Sequence, residues 1–326
     1  LRISGLEERD GDLSAAAGTL EEALELAPEH ADALVRLEKI HETTGAHAKR
    51  VEVLQRRLAL AKDVAGRKAR LWQIAQIQET QLEDLHAAVE SVTAILDDDP
   101  EDRQALEVLE RLWQRRGEHA RELEVVERRL ALARADGERV ECLRKIGDRL
   151  AGPLGRPLEA VERWREALRL APADAGIVGA VEKLLESSDE ALQVAAAEAL
   201  EPVYEKASKW PQLTRVIELR LSREADAHAR VVDRRRLADL REKRLNDPSG
   251  AFATYGQAVR DAVAEPELGE LLDAFERLGA QLGRSPEVVE LYRAIEPDLL
   301  DERVRLRVER VIAQEALRGK DLDAAA

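Results

Sequence analysis

Histidines are the side chains of this 326-residue chain that could most readily bind a metal ion, and there are six of them. His47 and His119 lie 72 residues apart, and each opens a stretch with the periodicity of an amphipathic helix. His41 aligns with Trp113 and Tyr204, which indicates an aromatic packing position beside a neighbouring helix. These histidines therefore mark structural positions of a repeat, and the sequence predicts no metal site.

The single cysteine, Cys142, excludes a disulfide within the chain and fits a reducing compartment. It aligns with Arg70 and Arg236, so its position tolerates charge and we expect the thiol to be exposed. No glycine-rich phosphate loop is present, and the acidic run 97–102 lacks the spacing of a calcium loop. Carboxylates are too numerous for one catalytic pair to stand out. The chain is therefore predicted to be no enzyme and to bind no cofactor.

One set of cations recurs along the chain and could bind a partner. After each of four prolines an apolar residue comes at the ninth position, followed by a glutamate at the tenth, a cation at the eleventh and then isoleucine or leucine. The four cations are Lys39, Arg111, Lys183 and Arg277. In stacked repeats equivalent positions lie along one surface, so these residues would form a ladder of positive charge. Neutralisation by the adjacent glutamates and by neighbouring helices is the alternative.

A period of 72 residues underlies these correspondences. Pro28, Pro100 and Pro172 are spaced by it, and residues 56–61 recur unchanged at 128–133. A fixed internal period indicates a repeat architecture. The composition is 36% charged and only 3% aromatic, with abundant Ala, Leu, Glu and Arg, which favours helices over sheets.

Apolar residues within one period recur three and four apart in four blocks. The blocks span about residues 30–44, 48–61, 66–80 and 84–97. Each period is therefore predicted to form two helical hairpins. Gly45, Gly117 and Gly283 fall between the first and second helices, where a left-handed residue can end a helix and begin a turn.

The third period is interrupted. Pro172 and Pro266 lie 94 residues apart, 22 more than the period, and most of the additional residues lie near 187–207. The segment 200–204 within them repeats the motif of an apolar residue followed by glutamate. We therefore expect an extra helix and a break in the regular stacking at this point.

The second hairpin of each period resembles the tetratricopeptide repeat. Segment 11–28 matches the second helix of that family, with small Ala16, bulky Leu20, Ala23 and terminal Pro28 in order. The later copies have Ala88, Val92, Ile95 and Pro100, then Ala160, Trp164, Ala167 and Pro172. The first hairpin departs from the family because it lacks the closing proline and has glutamate where a small residue is expected. These glutamates are Glu38, Glu110, Glu182 and Glu276.

The resemblance implies an all-α fold: a right-handed α-solenoid of stacked helical hairpins with about 17–18 helices, irregular near 187–207. We predict a single solenoid over 1–326, with partial units at both ends and an insertion in the third complete unit. The approximate units are 1–28, 29–100, 101–172, 173–266 and 267–326.

The charge of the chain restricts its partners. A net charge of −15 weighs against binding to nucleic acid and to anionic membrane surfaces. No stretch approaches eighteen uninterrupted apolar residues, so no membrane span is predicted. The cytoplasm is the default expectation, and any targeting sequence would lie before Leu1.

The resemblance also implies a function. It suggests a protein–protein interaction scaffold or adaptor that holds a protein or peptide segment on the concave face formed by the first helices of the hairpins. The alternative is a regulatory or self-assembling arm of a larger enzyme or signalling protein whose catalytic domain lies outside this sequence. Self-association through the repeats is left open.

Overall fold

All regular secondary structure in the described part of the chain is helical. The computed structural model describes residues 1–325, with side chains to residue 317, and this part contains eighteen α-helices and one short 3₁₀ helix. The predicted all-α repeat fold is therefore confirmed. The helices form two compact units, which divide between Arg156 and Pro157.

The first unit consists of nine α-helices joined by short turns. They are α1 (Arg2–Arg9), α2 (Leu13–Leu26), α3 (Ala31–Thr44), α4 (His47–Ala59), α5 (Val64–Thr80), α6 (Leu85–Asp98), α7 (Arg103–Arg116), α8 (His119–Leu132) and α9 (Asp136–Ala151). Each helix packs against the next along the chain, which is the arrangement of consecutive helical hairpins.

The second unit contains the remaining nine α-helices and the 3₁₀ helix Glu296–Asp298. They are α10 (Pro157–Leu170), α11 (Ala175–Leu184), α12 (Glu190–Lys206), α13 (Trp210–Leu221), α14 (Ala227–Lys243), α15 (Pro248–Asp261), α16 (Leu268–Gln281), α17 (Ser285–Ile295) and α18 (Glu302–Ala325). Consecutive helices again pack against each other.

Capping side chains set several of the helix starts. Asp12 and Asp84 occupy equivalent positions, and each accepts a hydrogen bond of 3.0 Å from the backbone N–H three residues on, at Ala15 and Ala87. Asp102 caps α7 in the same way. These local hydrogen bonds explain why the hairpin boundaries recur with the period.

Left-handed residues end the first helices of the hairpins. Gly45, Gly117 and Gly283 have φ of 68°, 70° and 70°, as the sequence predicts. After α12 the equivalent position is Ser208, with φ of 55°. A residue with a Cβ is disfavoured in this conformation by about 1–2 kcal/mol, so Ser208 holds a strained turn.

Substituting Ser208→Gly is therefore expected to raise the free energy of unfolding by about 1 kcal/mol, because glycine adopts this φ without steric cost. The reverse change at the equivalent turn, Gly117→Ser, should lower it by about the same amount. Urea unfolding followed by far-UV circular dichroism measures both. Equal stability of the two variants and the wild type would show that these turns do not carry the strain.

The interruption of the third period involves two helices. α12 lies within the segment where an extra helix is predicted, and α10 packs against both α11 and α12. A left-handed residue follows α12 at Ser208, as one follows α7 at Gly117, so α12 takes the place of the regular first helix and α11 is the additional one. The repeat motif in this period is therefore carried by residues 200–203 of α12, and not by residues 181–184 of α11.

Cys142 is buried on α9 with 3% of its surface exposed, so the prediction of an exposed thiol is wrong. Arginine can occupy the equivalent position because its long side chain carries the charge out of the core. Arg70 of α5 does so and donates a hydrogen bond of 2.7 Å to the carbonyl of Gly66. In the second unit the helix register instead aligns Cys142 with the buried Asp233, and Arg236 with Lys145. The side chain of Cys142 is too short to reach out of the core, and burial raises the pKa of its thiol.

Among the described residues, no helix combines the length and the apolar character that crossing a bilayer requires.

Candidate functional site

The four cations predicted to bind a partner are all exposed. Arg111 forms an ion pair of 2.7 Å with Glu79 of α5, and Arg277 forms one of 2.7 Å with Glu242 of α14. Lys39 makes no side-chain hydrogen bond or ion pair with the described residues, and the same holds for Lys183. Two of the four positive charges are thus neutralised within the chain.

Lys183 differs from the other three in its position within the repeat. It lies on α11, the additional helix of the third period. The position equivalent to Lys39 and Arg111 falls on Pro202 of α12. In the second unit, therefore, only Arg277 stands at the repeat position from which the ladder was predicted.

The glutamate beside each repeat cation is directed inward. Glu110 has 7% of its surface exposed, and it binds Arg129 of α8 and Lys145 of α9, the latter at 2.7 Å. Although burial alone would lower the pKa of Lys145, its hydrogen bonds to Glu110 and Glu141 raise that pKa. One carboxylate on α7 thus joins three successive helices.

The same arrangement recurs in both units, and we call Glu38, Glu110, Glu201 and Glu276 the anchor glutamates. Glu38 binds Arg57. Glu201 binds Arg220 at 2.8 Å and also Arg236, and Glu276 accepts a hydrogen bond of 2.6 Å from Tyr292 and pairs with Arg307 at 3.1 Å. Glutamate therefore replaces the small residue of the tetratricopeptide pattern because it has an internal partner on the following helices.

The predicted packing role of His41 agrees with the structure. His41 has 4% of its surface exposed, and burial together with the nearby Lys49 lowers its pKa. His47 and His119 are the first residues of the equivalent helices α4 and α8.

A groove of about 370 Å³ lies between α10 and α12 of the second unit. Its floor is apolar and is formed by Leu168, Ala199 and Val203, all of which are buried. Pro172 and Pro202 line its sides. Pro202 has no N–H to donate, so it interrupts the backbone hydrogen bonds of α12 at this point.

The rim of this groove is basic. It carries Arg165, Arg169, Lys206 and a single acidic residue, Glu198. Arg165 is paired with Glu198 at 2.8 Å. Arg169 and Lys206 are exposed and have no side-chain hydrogen bond or ion pair among the described residues. Two unpaired cations thus flank an apolar floor in a chain whose net charge is −15.

The basic rim arises from a reversal of charge within the repeat. Arg165 stands two periods after Glu21, and Arg169 stands two periods after Glu25 and one after Asp97. These positions are not among the candidate residues predicted from the sequence. The reversal was nevertheless visible from the sequence alone, by comparing residues one period apart.

The first unit has a cleft of the opposite charge. It lies between α2, α3 and α4, with a volume of about 590 Å³. Its acidic lining residues are Glu21, Glu25, Glu29 and Glu52, and its cations are Lys49 and Arg56. The basic groove is therefore not a general property of these hairpins.

No protein-family model matches the chain, and no curated protein is significantly similar to it in sequence. Among solved structures, the chain is similar to MamA at 19% identity and a TM-score of 0.32, over 53% of this chain and 97% of that one. It is similar to a tetratricopeptide repeat protein from Parabacteroides merdae at 15% identity and a TM-score of 0.31, over 84% and 96%. It is also similar to the TPR2AB domain of yeast Sti1 in complex with pHSP90, at 16% identity and a TM-score of 0.27, over 85% and 95%. The chain is thus similar to tetratricopeptide repeat structures in its helical-repeat fold, and what it does has to follow from its own residues.

Proposed function

We propose that the chain is a non-enzymatic scaffold that binds an acidic segment of a partner protein, with the groove between α10 and α12 as a docking position. The observation that supports this is an apolar floor flanked by the unpaired cations Arg169 and Lys206. An apolar side chain of the partner would remove its own surface from water against Leu168 and Val203, and this burial contributes about 25 cal/mol per Å².

Charge determines which partner segment fits this position. The chain as a whole carries −15, so an acidic segment is repelled by most of its surface and attracted to the few places where cations are unpaired. Such complementarity mainly sets the specificity and the association rate, while the apolar contact supplies affinity. The bound segment should therefore combine carboxylates with one or two apolar side chains.

The repeat cations are proposed as further contacts for an acidic partner. Lys39 and Lys183 can pair with a carboxylate directly, because neither is engaged by a described residue. Arg111 and Arg277 would first have to leave Glu79 and Glu242. We therefore expect the two lysines to contribute more than the two arginines.

The test is selection of a random peptide library on the purified chain, followed by measurement of the affinity of a selected peptide. We expect selected peptides to share acidic residues around an apolar one. The double variant Arg169→Glu and Lys206→Glu should weaken binding by about 10- to 100-fold, equivalent to about 1.4–2.8 kcal/mol.

A matched control changes the net charge by the same amount elsewhere. Arg121 is exposed on α8 and Arg144 is half-buried on α9 of the first unit, and each pairs with an acidic residue of its own helix. The double variant Arg121→Glu and Arg144→Glu should bind the peptide nearly as the wild type does. Selected peptides without acidic residues, or equal losses in the two double variants, would contradict the proposal.

A further inference from the structure

Three side chains with metal-binding atoms converge in the second unit, outside the groove. They are His228, Glu265 and Glu267, and one ligand atom from each lies within 4.8 Å of the other two. The Nδ1 atom of His228 is 3.0 Å from Oε2 of Glu265 and 4.0 Å from Oε2 of Glu267. None of the three is a position that the sequence analysis singled out.

The local chain geometry holds the two glutamates together. Glu265 and Glu267 flank Pro266 in the turn between α15 and α16, and proline fixes its own φ and restricts the residue before it. His228 is the second residue of α14, which packs along α15. The helix pair therefore brings the imidazole to the turn that carries both carboxylates.

The environment of Glu267 suits cation binding better than helix capping. Glu267 occupies the N-cap position of α16, but its side chain accepts no hydrogen bond from the helix. Its Oε2 atom is buried and has no hydrogen-bond donor among the described residues. A desolvated carboxylate oxygen without a donor is costly, and a bound cation would offset that cost.

The nearby arginines do not neutralise this pair of carboxylates. Arg230 and Arg234 pair with Asp261, at 3.5 Å and 2.9 Å, and Arg235 pairs with Glu270 at 2.5 Å. Glu265 and Glu267 are therefore left facing the imidazole of His228.

We propose that His228, Glu265 and Glu267 form a binding site for a divalent metal ion of the Zn²⁺ type. Zn²⁺ binds imidazole nitrogen and carboxylate oxygen at about 2.0–2.2 Å, which places the ligand atoms of a tetrahedral site about 3.3 Å apart. The two separations from Nδ1 of His228 are 3.0 Å and 4.0 Å, and the two carboxylate oxygens lie within 4.8 Å of each other, so side-chain shifts of up to about 1.5 Å reach this geometry.

The donor set also selects the metal. Mg²⁺ and Ca²⁺ favour sites made of oxygen alone, whereas an imidazole favours Zn²⁺ and its transition-metal neighbours. Three protein ligands leave one position of a tetrahedral ion open to water. A bound ion would link the start of α14 to the turn before α16.

Isothermal titration calorimetry of the whole chain with Zn²⁺ tests the site. The wild type should bind one ion, and His228→Ala or Glu267→Gln should each weaken binding at least about tenfold. Zn²⁺ should also raise the thermal unfolding temperature of the wild type but not of His228→Ala, because only a folded site binds the ion.

His86→Ala is the matched control. His86 is exposed on α6 and lies 4.0 Å from Glu90, and no third metal-binding side chain among the described residues joins this pair. This variant should bind Zn²⁺ as the wild type does. The proposal is overturned if the wild type shows no saturable one-to-one binding, if the His228 and Glu267 variants keep wild-type affinity, or if His86→Ala weakens binding equally.

Discussion

Replacing Glu110 with glutamine is expected to lower the free energy of unfolding by about 3 kcal/mol, because it leaves two cations facing a neutral amide. Removing one member of a buried ion pair costs about 3–5 kcal/mol. Arg129 and Lys145 are only partly buried and can turn toward water, which places the expected loss at the lower end of that range.

Urea unfolding followed by far-UV circular dichroism measures this loss. The matched control is Glu107→Gln on the same helix, which removes a carboxylate that contacts the same Arg129 at 3.3 Å but is 60% exposed. An exposed pair of this kind contributes at most about 1 kcal/mol. If Glu110→Gln and Glu107→Gln lower the free energy of unfolding by the same amount, the burial of Glu110 does not contribute to stability. The proposed anchor role is then wrong.

The period and the helix boundaries could be predicted from the sequence because they depend on local chemistry. Pro100 restricts only its own residue and the one before it, and Gly117 supplies a left-handed turn within one helix end. Capping at Asp102 likewise acts over three residues. Interactions that act over so few residues can be recognised in the sequence without knowing how the helices pack.

The role of the anchor glutamates could not be predicted in the same way. Arg129 and Lys145 lie 19 and 35 residues after Glu110, on the next two helices. From the sequence, Glu110 is therefore only a large residue at a position where the family has a small one. Its burial follows from the way in which three helices meet.

The candidate groove could be predicted from the sequence only in part. The change from glutamate at position 25 to arginine at position 169 is visible when residues two periods apart are compared. The apolar floor is not visible, since it requires that α12, rather than α11, supplies Ala199 and Val203 beside Leu168. α12, in the place of the regular first helix, thus supplies part of the floor of the groove, and the arginines at repeat positions that are acidic in earlier periods make its rim basic.

Close packing in the second unit leads to the other large expected effect, at Gly279 near the end of α16. A Cβ atom at this position would lie 2.5 Å from Cγ2 of Val288 on α17 and 3.2 Å from Cε2 of Phe252 on α15. Both neighbours are buried, and Phe252 is stacked on Phe275 with ring centroids 4.5 Å apart. Neither side chain can move away without disturbing this core.

Gly279→Ala is therefore expected to lower the free energy of unfolding by about 2 kcal/mol, the usual cost of overpacking a core, despite the better helix propensity of alanine. Gly269→Ala on the same helix is the control, because a Cβ there meets no atom within 4 Å. That change should be neutral or stabilising by up to about 1 kcal/mol.

A second substitution, at Val288, distinguishes a clash with the new Cβ atom from a general loss of helix stability. Val288→Ala alone should destabilise the unit through the cavity that it leaves, but in the Gly279→Ala background it also removes the contact at 2.5 Å. The double variant should therefore lose less stability than the sum of the two single losses, by at least about 0.5 kcal/mol. Additive losses in urea unfolding would mean that α16 and α17 separate to admit the methyl group, and that Gly279 does not set their spacing.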